Sequence, residues 1–329
     1  MEKTAPVTKV VVTGANGFIG KPLVERLARQ PHYQVVAVLR RPDPTLPNEV
    51  TQHLVSDLLG YQGWLQVLQG CDLVIHAAAR AHILSDHVLD PLSEFRKTNR
   101  DATMQLLDAC LQSQVKRFIF LSSIGVHGTE SITPFTVFDQ PCPREPYAIS
   151  KLEAENSLKS RCQNTNLAWT IIRPPLVYGP NAKGNVDRLF RFVSRRIPLP
   201  LGAIDNKRSL VALDNLLDFI QCCAEHPNAA NQTFLVSDGE DVSTTELIKV
   251  IAKALKVRTW LLPIPTSWIM LAAKLLGKQA MARRLCNSLQ VDMSHTQQRL
   301  GWQPVVSLQQ AMARLVMQKE QAVEPHQPD

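Results

Sequence analysis

Metal-ligand spacing, runs of basic residues and an unbroken apolar span are all missing from this chain. The seven cysteines (Cys71, Cys110, Cys142, Cys162, Cys222, Cys223 and Cys286) are odd in number and scattered, with no C-x-x-C and no Cys/His cluster. They read as reduced residues in mostly apolar surroundings, and no metal is expected. Net charge is +7 and aromatics make up only 6% of the chain. Arginines are dispersed rather than blocked, and no aromatic platform is interleaved with them, which argues against nucleic acid and for an anionic small molecule. The longest hydrophobic stretch, Trp260 to Leu276, is broken by Pro263, Pro265 and Lys274. That is too interrupted to span a bilayer, and a buried substrate-domain helix is the preferred reading over an interfacial one. Lys9 leads straight into a strand with no apolar leader before it, so a cytoplasmic location is expected. There is no internal repeat and no low-complexity tract.

What is present is a strand, a glycine turn and a helix. Lys9 to Thr13 is apolar and β-branched, Gly14-Ala15-Asn16-Gly17-Phe18-Ile19-Gly20 follows, and Leu23, Leu27 and Ala28 carry helical spacing. Backbone N–H groups and a helix N-terminus then meet where a pyrophosphate would sit. The glycines are spaced G-x-x-G-x-x-G. Gln34 to Leu39 reads as a second strand ending at Arg40-Arg41, and arginine there suits a ribose 2′-phosphate, so NADP(H) is expected over NAD(H). Strands at Thr51–Val55 and Leu73–His76 follow, leading into Ser56-Asp57-Leu58 and the small residues Ala77-Ala78-Ala79. A helix is expected over Leu92–Gln112 with Thr98-Asn99 near its start, then a fifth strand over Lys116–Leu121 and a sixth over Ala168–Arg173, stopped by Pro174-Pro175. Gly184-Asn185 opens a helix bearing Arg188, Arg191, Arg195 and Arg196. Further strands are expected at Ser209–Leu213 and Thr233–Val236, and helices at Ser243–Leu255, Ser267–Leu276 and Leu308–Gln318. The predicted fold is α/β: a Rossmann doubly wound parallel sheet with a smaller, mostly helical C-terminal substrate domain. The dinucleotide domain takes residues 1–176 and about 208–236, the substrate domain 177–207 and 237–318, and a polar tail over 319–329 is expected to be disordered.

The fifth strand delivers Ser122-Ser123 at its carboxyl end, where ligands bind in open parallel sheets. Tyr147 and Lys151 stand four apart, one turn from each other on a helix. An ammonium beside a phenol favours the phenolate and pulls the tyrosine pKa down from about 10. This is acid/base equipment for alcohol–ketone exchange. The pair alone is weak; with the hydroxyl strand and the glycine turn it becomes informative.

These motifs stand in one order: TGANGFIG (13–20), SDL (56–58), HAAA (76–79), TN (98–99), FLSS (120–123), YAISK (147–151), RPPLVYGP (173–180) and RSLVALDNL (208–216). Over about residues 8 to 317 the chain resembles the extended short-chain dehydrogenase/reductases, and among them the nucleoside-diphosphate-sugar epimerases, dehydratases and reductases. The resemblance implies Ser123, Tyr147 and Lys151 as the catalytic set, with Lys151 also binding the nicotinamide ribose. It implies a dinucleotide site from Gly14, Asn16, Gly17, Phe18, Ile19, Gly20, Arg40, Arg41, Asp57, Leu58, Ala77, Ala78, Ala79, Asn99, Tyr147, Lys151 and Pro174. For the nucleotide sugar it implies Ser122, Ser123, Asn185, Val186, Leu201 and Arg208, with Arg283 or Arg284 as a second diphosphate clamp. It also implies a homodimer through the helices around 98–112 and 147–160.

Departures from the family pattern narrow the reaction. Ile124 and Gly125 stand where dehydratases carry acids, and His127 stands where a tyrosine is common. The local sequences SSIGVHG, RPPLVYGPNAKGN and PLPLGAIDNKRSL resemble a branch that includes reductases of UDP-4-keto-6-deoxy-N-acetylhexosamines, which make sugars for surface polysaccharides. The expected activity is therefore NADPH-dependent reduction of a UDP-bound 4-keto sugar. The rivals are a UDP-hexose 4-epimerase, a 3β-hydroxysteroid-type dehydrogenase and, from a different class, a non-catalytic dinucleotide-binding subunit or sensor.

Overall fold

The computed structural model describes residues 7–81, 90–182 and 185–321. In chain order its elements begin with β1 (Thr8–Thr13), α1 (Gly20–Ala28), β2 (Tyr33–Leu39), β3 (Thr51–Leu54), α2 (Trp64–Val67) and β4 (Leu73–His76). Next come α3 (Pro91–Arg96), α4 (Ala102–Gln112), β5 (Arg117–Leu121), α5 (Pro146–Cys162), β6 (Ala168–Arg173) and β7 (Leu176–Tyr178). The C-terminal part comprises α6 (Asn185–Ser194), β8 (Arg208–Ala212), α7 (Leu213–Glu225), β9 (Gln232–Leu235), β10 (Asp241–Val242) and α8 (Thr244–Ala254), then α9 (Thr266–Leu275), α10 (Gln279–Cys286), α11 (Ser294–Leu300) and α12 (Leu308–Gln321).

Seven strands form one parallel sheet in the order β3-β2-β1-β4-β5-β6-β9. The inner strands are continuous hydrophobic runs because both faces are covered, as a parallel sheet requires. Alternation along β1 divides them: Val10 and Val12 pack with α1 and α7 on one face, Val11 with α2, α4 and α5 on the other. The order reverses between β1 and β4, so their carboxyl ends diverge into the crevice where such sheets bind ligands.

A second, three-stranded sheet, β10-β8-β7, is surrounded by α6, α8 and α12 and closes a separate apolar cluster. Within 208–236, β8 pairs with β7 and β10 in this small sheet, while α7 and β9 pack with the large one. A capping box at Ser243 and Glu246 starts α8.

Four expectations need correction. The helix expected over Leu92–Gln112 is interrupted by a π-helical segment, Lys97–Asp101, which turns Asn99 into the core. Helix α6 ends at Ser194, so Arg195 and Arg196 lie beyond it, Arg196 at φ 54°; Gly184 lies outside the described residues. Helix α12 runs to Gln321, three residues into the segment expected to be disordered, and 322–329 lie outside the described residues. The 260s are not a buried helix: in α9 only Ala273 is buried, because α9 packs along one side against α10 and leaves its other side outward.

Candidate active site

The two serines after β5 part company. Ser122 turns into the core and donates its hydroxyl to Glu155. Ser123 is partly exposed and N-caps a short 3-10 turn, its Oγ accepting from Gly125 N at 3.1 Å. Of the pair, Ser123 is thus the hydroxyl on the cleft side, because side chains alternate at a strand end.

Helix α5 starts at Pro146, a residue whose missing N–H is no loss in the first turn, and carries Lys159 and Arg161 at its negative end. Tyr147 sits in its first turn with its ring edge-on to Phe95 of α3, centroids 6.0 Å apart. Burial pushes the Tyr147 phenol up to about 12. The direction is opposite to the expected downward shift, and its cause is desolvation of the phenolate. Lys151 is 1% exposed, its Nζ lies 3.9 Å from the centroid of the Phe120 ring, and among the described residues the Nζ has no hydrogen-bond partner. Burial pulls Lys151 down to about 7, opposed by Glu155 one turn further along.

Beneath this face lies a polar network that motif reading missed. Arg173, at the end of β6, donates from Nε to Glu155 Oε1 at 3.0 Å and from Nη2 to Glu155 Oε2 at 2.5 Å. Its Nη1 meets His127 Nε2 at 2.7 Å, so this imidazole is neutral with Nε2 as acceptor. Burial first and then Arg173 hold the His127 pKa down at about 4. The spacing Tyr147, Lys151, Glu155 was the signal available: three functional groups on one stripe of a helix.

A second relay joins the glycine turn to α5. Thr13 Oγ1 lies 2.7 Å from His76 Nδ1, and His76 Nε2 lies 2.8 Å from Thr103 Oγ1. The Thr103 hydroxyl donates to the Asn99 carbonyl at 2.8 Å. With that proton committed, His76 donates from Nε2 and accepts at Nδ1 from Thr13. His76 is buried and held neutral, its pKa lowered to about 3 by burial and then by Lys151. Asn99 in turn donates to Ser150 Oγ at 3.0 Å, and Ser150 donates to the Tyr147 carbonyl at 2.7 Å. The π-helical kink is what lets Asn99 reach α5.

At the opposite side of the crevice, Gly14 adopts φ +67°, and a Cβ there would stand 2.7 Å from the Ala78 backbone. A Cβ on Gly20 would lie 2.1 Å from the Gly14 carbonyl oxygen. Only hydrogen fits at either place, and the turn is closed by Gly17 N donating to Gly14 O at 2.9 Å. Asn16 and Gly17 are exposed, while Phe18 and Ile19 anchor the turn on the core. Arg40 and Arg41 are exposed just past β2. Asp57, exposed, accepts from Leu59 N at 3.0 Å, and Leu58 packs on the core beside it. Pro174 is buried and its carbonyl accepts from Ile124 N at 2.9 Å. The orphaned Lys151 ammonium and the glycine cradle fit the ribose and the diphosphate of a dinucleotide, respectively. Lys151 would bind the ribose hydroxyls and the turn residues Gly14 to Gly20 the diphosphate.

A neighbouring cleft is lined by Asn185, Val186, Arg208 and Arg284 against an apolar wall that includes Leu176 and Leu247. Arg284 is on this cleft and Arg283 is not among its lining residues, which separates the two candidates for the second clamp. Arg208 donates to the Asn287 carbonyl at 2.9 Å, and burial, then Arg284, pull its pKa down. Arg284 pairs at 2.5 Å with Glu145, two residues before Tyr147, tying the cleft to the start of α5. Leu201 does not line the cleft; it is buried in the small-domain core, its carbonyl accepting from Thr245 Oγ1 at 2.6 Å. Among the described residues no group of His, Cys, Asp or Glu could hold a metal ion.

Residues 10–237 match the model of the NAD dependent epimerase/dehydratase family. The chain belongs to that family, and it is an enzyme. It is 42% identical over 304 residues to the UDP-glucose 4-epimerase of Vibrio cholerae, covering 92% of each chain. It is 28% identical over 263 residues to the N-acetyl-alpha-D-glucosaminyl-diphospho-ditrans,octacis-undecaprenol 4-epimerase of Escherichia coli O157:H7, covering 78% of this chain and 76% of that one. Among solved structures, MoeE5 in complex with UDP-glucose and NAD superposes with a TM-score of 0.77 at 25% identity, covering 96% of this chain and all of that one. No described helix is long and apolar enough to cross a membrane.

Proposed function

We propose that the protein interconverts the C4 epimers of a diphosphate-linked hexose or N-acetylhexosamine, using NAD retained between reaction cycles. The similarity to the Vibrio cholerae epimerase along 92% of both chains carries this reading. It displaces the reductase expected from local sequence, because a likeness across the whole chain outweighs three short segments.

When bound, NAD would supply the hydride acceptor and donor for sugar C4, and its oxidised form would add a positive charge that favours the phenolate. Tyr147 would take the C4 hydroxyl proton as hydride leaves, and return it when hydride is delivered to the other face of the 4-keto sugar. Burial alone holds the phenol neutral; taking the C4 proton needs the phenolate, and the phenol so formed is the acid that returns the proton to the C4 oxygen. Ser123 Oγ would hydrogen-bond the C4 oxygen, and Lys151 would hold the ribose while its charge favours the phenolate. Arg208 and Arg284 would clamp the diphosphate.

The deciding experiment denatures the purified enzyme, identifies the released nucleotide, and incubates native enzyme with UDP-glucose, UDP-N-acetylglucosamine and a short-chain polyprenyl-diphosphate N-acetylglucosamine. Co-purified NAD and C4 interconversion without added reductant are expected. A second reading, NADPH-dependent 4-ketoreduction, is favoured by the exposed Arg40 and Arg41. It would replace the first if the protein purified without nucleotide and consumed NADPH stoichiometrically with a UDP-4-keto-6-deoxy-N-acetylhexosamine. In either reading residues 1–176 and about 208–236 form the dinucleotide domain, and a homodimer forms through α4 and α5, which light scattering tests.

A further inference from the structure

We propose that α9, with the segment leading into it, docks on the surface of an anionic lipid bilayer. Trp268, Leu271 and Leu275 recur at i, i+3 and i+7 and are 71%, 61% and 80% exposed. They form one apolar face, while Ile269, Met270 and Ala273 turn toward the protein. Leu276 extends that face at 68% exposed, and Trp260 and Leu262 are exposed on the approach to the helix. Soluble monomers rarely leave so much large apolar surface together.

Charge identifies the occupant. Between Glu246 and Asp292 there is no acidic residue, and eight are basic: Lys249, Lys253, Lys256, Arg258, Lys274, Lys278, Arg283 and Arg284. Lys274 and Lys278 are exposed and flank the apolar face. Tryptophan rings with a basic border match the headgroup region of an anionic leaflet, where rings sit at the boundary and ammonium groups meet phosphate. A second copy of this chain fits poorly, since a two-fold contact would set Lys274 and Lys278 against their own kind. Helix α9 has ten residues, enough to lie in the interface and too few to cross. Helix α10, packed on α9, also supplies Arg284 and Leu285 to the cleft. Docking would therefore hold the diphosphate cleft close to the lipid phosphates. The proposal is independent of which sugar the site accepts.

The test is flotation of the full-length enzyme with phosphatidylcholine vesicles, with and without phosphatidylglycerol, at low and high salt. Binding to the anionic vesicles that weakens with salt is expected. Trp268→Ser/Leu271→Ser/Leu275→Ser should weaken it at least ~10-fold, and Lys274→Glu/Lys278→Glu should remove the preference for phosphatidylglycerol. Both sets are on the surface, and unchanged melting and turnover on a soluble substrate confirm an intact fold. Absence of vesicle binding, or binding equal in wild type and both variants, overturns the proposal. So does a wild-type oligomer that ignores vesicles and falls apart in the serine variant, which would show that a second copy covers the face.

Discussion

Replacing Glu155 by Gln removes one charge from a pair in which the Arg173 side chain is 3% exposed and the Glu155 side chain 0%. The geometry stays: glutamine is isosteric and still accepts one guanidinium hydrogen bond. What changes is that a guanidinium shielded from water loses its counter-charge, and stranding one member of a buried pair costs about 3–5 kcal/mol. At roughly 2 °C per kcal/mol in a large domain, the melting temperature should fall by about 6–10 °C. His127 cannot compensate, because it is neutral and accepts from the same arginine. Urea unfolding and calorimetry measure the loss. Glu155→Leu with Arg173→Met removes both charges together and should be far less damaging than the single change, within about 2 kcal/mol of wild type. A loss below about 1 kcal/mol for Glu155→Gln, or a double variant as unstable as the single one, would refute the view that Arg173 depends on Glu155. Catalysis should respond as well, since Glu155 is the group that opposes the downward shift of Lys151. The turnover optimum of Glu155→Gln should move to lower pH.

Tyr147→Phe should cut turnover at least ~100-fold while leaving dinucleotide retention intact, read by rapid-quench assay and by nucleotide content. Lys151→Met should lose activity yet gain about 1–3 kcal/mol at pH 7. The folded pKa of about 7 lies below the unfolded 10.5, so the penalty of burying this lysine is full below pH 7 and vanishes above pH 10.5. Denaturation at pH 7 and pH 10 should show that advantage shrinking. His127 has a folded pKa of about 4 against 6.5 unfolded, so the stability linked to its neutral form is full above pH 6.5 and drains away toward pH 4. His127→Asn should flatten that acid limb in a pH series of urea midpoints. Gly20→Ala would force a methyl to 2.1 Å from the Gly14 carbonyl oxygen; a loss of about 1–3 kcal/mol and of bound nucleotide is expected by melting and nucleotide release.

Local pattern carried the backbone of the molecule. Continuous apolar, β-branched runs bounded by turn residues marked the strands of the large sheet within a residue or two, because a parallel strand covered on both faces needs little beyond its own β-branched side chains. The hydroxyl, phenol and ammonium of Ser123, Tyr147 and Lys151 could be read because a strand end and a helical turn are short-range geometries. The π-helical segment at Lys97–Asp101 escaped notice, since its cause is distant: Asn99 is drawn toward Arg80 and Ser150, 19 and 51 residues away.

By itself, then, the sequence determined the alternation of strands and helices that builds the fold, the glycine turn and the one-turn spacing of Tyr147 and Lys151, all of which depend on neighbours within about a helical turn. Tertiary structure alone decided that Ser122 is buried while Ser123 stays partly exposed, and that Arg284 lines the neighbouring cleft while Arg283 is not among its lining residues. It also decided that Tyr147 shifts upward rather than downward and that Trp268 lies open rather than buried. Each of these turns on desolvation or on a partner supplied by another element. Burial is a property of the packed layers, and no local run of residues encodes it.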